Sequence, residues 1–176
     1  MKFITIETDL HNNVEKELIN SCNINNIDIQ IVGKGTEWNG FITKWQLMVD
    51  YLTQINEEFV CLTDARDVLY MSDRNTIYNT FIENFDRDSI VFNGETQCHP
   101  EPEFAKSHPN QHKKYKYLNA GCVIGNRKTL LEVAKQCIKL YETSGCDHDQ
   151  YLIQKLFIDG KLNITIDYDC KIFQCV

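Results

Sequence analysis

The chain has 176 residues, enough for one domain with a substantial core and too short for two of ordinary size. Its 43% hydrophobic and 24% charged content is that of a globular protein, and its net charge of −7 argues against a nucleic-acid backbone or an anionic membrane as main partner. No apolar run is long enough to span a bilayer and Met1-Lys2-Phe3 enters a strand directly, so the expected location is cytoplasmic.

Lys2 to Glu7 reads as a buried first strand, followed by a polar turn at Thr8-Asp9 and a helix over about Asn13 to Ser21. Ile27 to Val32 alternates as a second strand. A β-α-β opening with polar residues where its first strand ends suggests a nucleotide-binding half-sheet. On its own, Thr8 reads as a turn or helix cap. The glycine-rich stretch Gly33 to Gly40 lacks the spacing of a P-loop or a dinucleotide fingerprint. Trp38 within it is either a stacking platform or a ring packed under the loop.

Trp45, Met48, Val49 and Leu52 fall at i, i+3, i+4 and i+7 of a helix from about Thr43 to Gln54. Lys44 sits in its first turn, against the helix dipole, a small hint that its ammonium faces a diphosphate, with a solvated surface lysine as the default reading. The buried run Val60 to Thr63 then leads into Asp64 and Asp67. Residues three apart on a continuous strand face opposite sides, so these carboxylates share a site only if the chain turns between them, as at the carboxyl end of a sheet strand. Two hard oxygens there suit Mn²⁺ or Mg²⁺, and a helix cap or an ion pair with Arg66 is the alternative.

Ser72-Asp73 caps a helix carrying Ile77, Tyr78, Phe81, Ile82 and Phe85, and Ser89 to Phe92 is a strand leading into Asn93 to Pro100. The polar stretch Lys106 to Lys116 reads as a loop. Tyr117 to Gly125 carries an Asn-small-Gly turn, at Asn119-Ala120-Gly121, into an apolar run. A long helix follows with Leu130, Val133, Ala134, Cys137, Ile138 and Tyr141 on one stripe, then the acidic helix start Cys146 to Leu152. Capping alone would account for Asp147 or Asp149 there. Leu162 to Asp167 and Lys171 to Gln174 read as closing strands. The eight cysteines show no Cys-x-x-Cys pair, and buried free thiols are expected.

Several of these stretches resemble, in order, the glycosyltransferase domain found in procollagen lysyl hydroxylases. Thr63-Asp64-Ala65-Arg66-Asp67 resembles its Asp-x-x-Asp strand end, Gly33 to Trp38 its Gly-x-Gly-x-x-Trp loop, and Asn93 to Pro100 its Ser-Ala-Glu-Ser-x-Cys-Trp-Pro. Tyr117 to Gly125 resembles Tyr-Leu-Asn-Ser-Gly-Gly-Phe-Ile-Gly, the most specific match, and Asp149-Gln150 falls on the family's Asp-Gln. The chain departs at Arg66, His99 and His148, where the family has Tyr, Trp and Asp.

The resemblance implies a single three-layer α/β/α domain of GT-A type over residues 1–176, with a mostly parallel central sheet. It implies transfer of a hexose from UDP-glucose or UDP-galactose to a hydroxyl acceptor, such as hydroxylysine or galactosyl-hydroxylysine in collagen-like protein. Mn²⁺, or Mg²⁺, would lie on Asp64 and Asp67; Thr8, Trp38, Lys44 and Arg66 would hold the nucleotide; Glu95, Asn119, Asp149 and Gln150 would line the sugar side. Longer relatives supply a His as third metal ligand from a carboxyl-terminal segment for which this sequence shows no counterpart. A non-catalytic UDP-sugar binding module, or an enzyme completed by a partner, is therefore the competing expectation.

Overall fold

Period-two burial along the apolar runs decides which sheet face each side chain meets. The computed structural model describes residues 1–175. Its strands are β1 (Lys2–Ile6), β2 (Ile29–Val32), β3 (Phe59–Thr63), β4 (Ile90–Glu95), β5 (Tyr117–Asn126) and β6 (Ile164–Ile166), in one sheet of order β2-β1-β3-β5-β4-β6. β1 lies parallel to β2 and β3, and β4 parallel to β6. Only β5 runs against its neighbours, so the sheet is mixed and mostly parallel.

Helices α2 (Ile42–Gln54), α4 (Arg127–Ser144) and α5 (Asp149–Asp159) cover one face, while α1 (Lys16–Ile24) and α3 (Arg74–Asn84) cover the other. Val60 and Leu62 of β3 meet Trp45, Met48, Leu130 and Leu152. Phe59 and Cys61, the intervening residues, meet Leu18, Ile77 and Phe81 on the opposite side. Burying one such Leu or Phe is worth roughly 2 kcal/mol, so these two clusters, rather than helix propensity, hold the three layers together.

Two features of β5 position the site. Between the pairs Phe92↔Val123 and Asn93↔Asn119 the ladder shifts register, leaving Ala120 to Cys122 out of the pairing with β4. Such a bulge re-aims the side chains around it. Meanwhile Thr63↔Cys122 still pairs with β3, so the bulged segment lies beside the end of the central strand.

Two expected elements differ. The first helix begins at Lys16 rather than near Asn13. Lys171 to Gln174 is not a strand. The buried Asp167 carboxylate accepts from the backbone N–H groups of Lys171 (2.9 Å), Ile172 (2.7 Å) and Phe173 (2.9 Å), so these donors serve a side chain in place of a ladder. The cysteines are all free thiols, four of them buried. No helix among the described residues is long and apolar enough to cross a membrane.

Asp167→Ala orphans three N–H groups beside a buried residue and is expected to cost about 3 kcal/mol, read as a lowered urea midpoint. Asp167→Asn, which keeps one acceptor oxygen, is expected to fall between it and the wild type.

Candidate active site

Asp64 follows the last residue of β3, and the backbone bends over residues 65–67. Asp64 and Asp67 thereby line one cleft of about 960 Å³, as the turn between them requires. Thr63, Asn93, Asn119, Asp149 and Gln150 line its polar part, and Val68, Ile77 and Phe173 are among its apolar walls. The cleft sits at the carboxyl end of the central strand, where open α/β sheets bind ligands.

Lys44 lies at the floor of this arrangement. Its Nζ donates to Asp64 Oδ1 (2.9 Å), Asp149 Oδ2 (2.9 Å) and the Ala120 carbonyl (3.3 Å), which uses all three ammonium protons. Lys44 was expected to face a diphosphate; at 5% exposure it instead joins two carboxylates to the bulge of β5. Burial alone would lower its pKa, but the two carboxylates outweigh that and hold it above its ordinary value. For Asp149, burial is likewise overcome: Lys44 and the Gln150 N–H keep its carboxyl below the usual range. Asp64 is the opposite case. Burial of its surroundings, aided by the charges of Asp149 and Asp67, outweighs Lys44 and raises its pKa.

The cation near an α2 helix start has a structural answer. Asp147 accepts from the N–H groups of Phe41 (3.1 Å) and Ile42 (2.9 Å), capping α2 from the loop before α5. Gly40, at φ +92°, has no room for a side chain there, since a Cβ would overlap the Asp147 carboxylate. Asp147 was legible as a cap, but of its own helix; the helix it caps lies over a hundred residues away in sequence.

Among the residues expected to line the sugar the hydrogen bonding is continuous. Gln150 Oε1 accepts from the Ala120 N–H (3.1 Å), while its Nε2 donates to Glu95 Oε1 (2.6 Å) and to the His99 carbonyl. Asn119 Oδ1 accepts from the Gly121 N–H (2.9 Å), and Asn119 Nδ2 lies 3.5 Å from Glu95 Oε2. Burial pushes the Glu95 carboxyl up, against the lowering effect of Gln150 and Asn119. A Cβ on Gly121 would lie 3.1 Å from Asp64 Oδ2, so this glycine keeps that oxygen accessible from the bulge side.

The residues expected at the nucleotide lie apart from the cleft walls. The Thr8 carbonyl accepts from the Gly35 N–H (2.9 Å), tying the end of β1 to the glycine loop. Trp38 is 44% exposed and meets Phe41 edge-on at 5.8 Å. Arg66 makes a two-pronged contact with Glu7, at 2.9 and 3.2 Å. Glu7 has one sequence signal, a carboxylate closing an apolar strand. Burial would raise its pKa, but Arg66 and the Asp9 N–H bring it below the ordinary value.

The architecture defines a class. A glycosyltransferase involved in glycosylation of the major capsid of PBCV-1 superposes with TM-score 0.60 at 9% identity, covering 94% of this chain and 82% of that one. The galactosyltransferase LgtC, solved with donor and acceptor sugar analogs, gives TM-score 0.60 at 14% identity over 94% and 73%. The fold is that of GT-A glycosyltransferases. Within that class, the model of the PLOD GT domain matches residues 1–176, and the chain belongs to this glycosyltransferase family. The multifunctional procollagen lysine hydroxylase and glycosyltransferase of Caenorhabditis elegans is 26% identical over 174 residues, covering 90% of this chain and 23% of that protein. An uncharacterized protein of Acanthamoeba polyphaga mimivirus is 26% identical over 164 residues, 88% of this chain and 35% of that protein. The chain thus spans 23% and 35% of the length of these two relatives.

Lys44→Met leaves the buried Asp149 carboxylate without its cation and is expected to cost about 3 kcal/mol at pH 7. In the wild type the Asp149 pKa is depressed, so its contribution is present above the unfolded value near 4 and lost as pH falls through the folded one. In the variant, burial without a counter-ion raises that pKa, so protonation relieves the penalty on acidification. Urea midpoints at pH 7 and pH 5 should show the gap to wild type narrowing.

Proposed function

We propose that this chain is a metal-dependent hexosyltransferase, moving glucose or galactose from a UDP-sugar to a hydroxyl acceptor. The acceptor class favoured is hydroxylysine or galactosyl-hydroxylysine of collagen-like protein. The observation that carries the reading is the pairing of Asp64 and Asp67 in one cleft at the carboxyl end of β3, opposite Asn119, Asp149 and Gln150.

The donor set fits a hard divalent cation. Lys44 engages Oδ1 of Asp64, while Oδ2 faces the space that Gly121 leaves open. Two carboxylates suffice for Mn²⁺ or Mg²⁺ when water and phosphate oxygens complete the shell. Bound there, the ion supplies neutralisation of the charge that builds on the departing diphosphate.

The chain's own groups do the rest. Trp38, exposed beside the glycine loop, offers a face to the uracil, and Thr8 and Arg66 border the same end of β1. Lys44 reaches no phosphate in this geometry; it fixes Asp64 and keeps Asp149 ionised. Glu95, Asn119 and Gln150 present fixed acceptors and donors that suit sugar hydroxyls. Asp149, with one oxygen on Lys44 and the other on the Gln150 N–H, orients and is a weak base.

A second reading, a UDP-sugar binding module without turnover, has its own support. Among the described residues no three His, Cys, Asp or Glu side chains converge closely enough to hold a metal. UDP release from UDP-glucose and UDP-galactose with Mn²⁺, with and without a hydroxylysine-containing collagen-like peptide, separates the two. The transferase reading expects metal-dependent release that falls roughly a thousandfold in Asp64→Asn/Asp67→Asn. Metal-dependent UDP binding with no release from any donor would favour the binding module instead.

A further inference from the structure

One amide in the cleft is left unused by the protein. Asn93 lines the cleft with Asp64, Asn119, Asp149 and Gln150, and it is 6% exposed. Its Oδ1 is buried, and among the described residues its side chain has no hydrogen-bond partner. An amide taken out of water and left unpaired lowers stability, so native interiors seldom hold one without a use.

The sheet sets this amide beside the residues expected to line the sugar. Asn93 is the first residue of β4 after the register shift and stands directly opposite Asn119 of β5. Opposed residues of an antiparallel pair project from the same face, and Glu95, two residues further on, shares it. Asn93, Asn119 and Glu95 therefore form one polar row at the carboxyl end of β4. The neighbours of Asn93 are already committed. Asn119 Oδ1 holds the Gly121 N–H and its Nδ2 lies toward Glu95, while Gln150 spends both ends of its amide on Ala120, Glu95 and His99. These fixed groups give the pocket its shape. Asn93, held at neither end, is free to turn about its terminal torsion and to present its oxygen or its NH₂ to a ligand.

Resting on the donor reading above, we propose that Asn93 is the specificity-determining residue for the transferred hexose. A carboxamide offers one acceptor and one donor group side by side, which suits two hydroxyls on neighbouring ring carbons. Glucose and galactose differ only in the direction of one ring hydroxyl. Asn93 reads that hydroxyl: its Oδ1 accepts the proton of one hydroxyl of the pair while its Nδ2 donates to the oxygen of the next. The sugar with the wrong direction leaves the buried amide unpaired, which penalises it.

Calorimetry on the full chain with Mn²⁺ tests this without turnover. The wild type should bind one of UDP-glucose and UDP-galactose on the order of tenfold more tightly than the other. Asn93→Leu, close to asparagine in shape, should bring the two donors within about twofold of each other, with UDP binding unchanged and the urea midpoint equal or higher. Asn93→Ser, whose hydroxyl is shorter than the amide, should level the two donors in the same way. A donor preference kept in both variants overturns the assignment, and so does a wild type that binds both donors alike. A lowered urea midpoint with weakened UDP binding in both variants marks the amide as structural and overturns it too. The transferase reading fails separately: if the wild type releases no UDP from either donor that reading falls, and the binding ratio still decides the role of Asn93.

Discussion

The site rests on one buried ammonium. Lys44 touches the end of β3 through Asp64, the start of α5 through Asp149 and the bulge of β5 through Ala120. A charge at 5% exposure is stable only when paired, and the buried Asp149 depends on it in turn. These three contacts fix the separation of Asp64 from Asp149 and Gln150 across the cleft. Their cost is that Lys44 is spent on the protein and has no proton left for a phosphate.

The fold converges on that point by several independent devices. The bulge in β5 lifts Ala120 to Cys122 out of its ladder with β4, so that a carbonyl meets the ammonium. Asp147 binds the first N–H groups of α2 and offsets the unfavourable placement of a cation at that end. Gln150, one residue beyond Asp149, grips the Ala120 N–H while binding Glu95. Removing any one of these contacts loosens the others, because each shares an element with the next.

How much of this is legible in the sequence depends on the range of the interaction. The strands are legible because Val60 to Leu62 and Ile90 to Phe92 are continuous buried runs, and α2 because Trp45, Met48 and Leu52 repeat at helical spacing. The turn between Asp64 and Asp67 is legible because strand geometry forbids any other way for them to share a site. The partners of Lys44 are not, since they lie 20 and 105 residues away. No local pattern distinguishes a lysine that pairs internally from one that meets a ligand. Lys171 to Gln174 reads as a strand because Ile172 and Phe173 are apolar, yet the Asp167 carboxylate a few residues earlier takes the backbone donors a strand would need, a contact that apolar patterning does not register. The ring contacts of His148 are likewise not legible locally, since Phe41 and His99 are brought to it by folding.

The proposed activity depends on the carboxylates after β3 binding a divalent cation for a nucleotide diphosphate. Anomalous diffraction from crystals soaked with Mn²⁺ and UDP addresses it directly. The expected result is a manganese peak about 2.1 Å from oxygens of Asp64 and Asp67, shared with diphosphate oxygens, while Lys44 keeps its contact with Asp149. UDP bound in the cleft with no metal on either carboxylate, or manganese bound elsewhere, would contradict it.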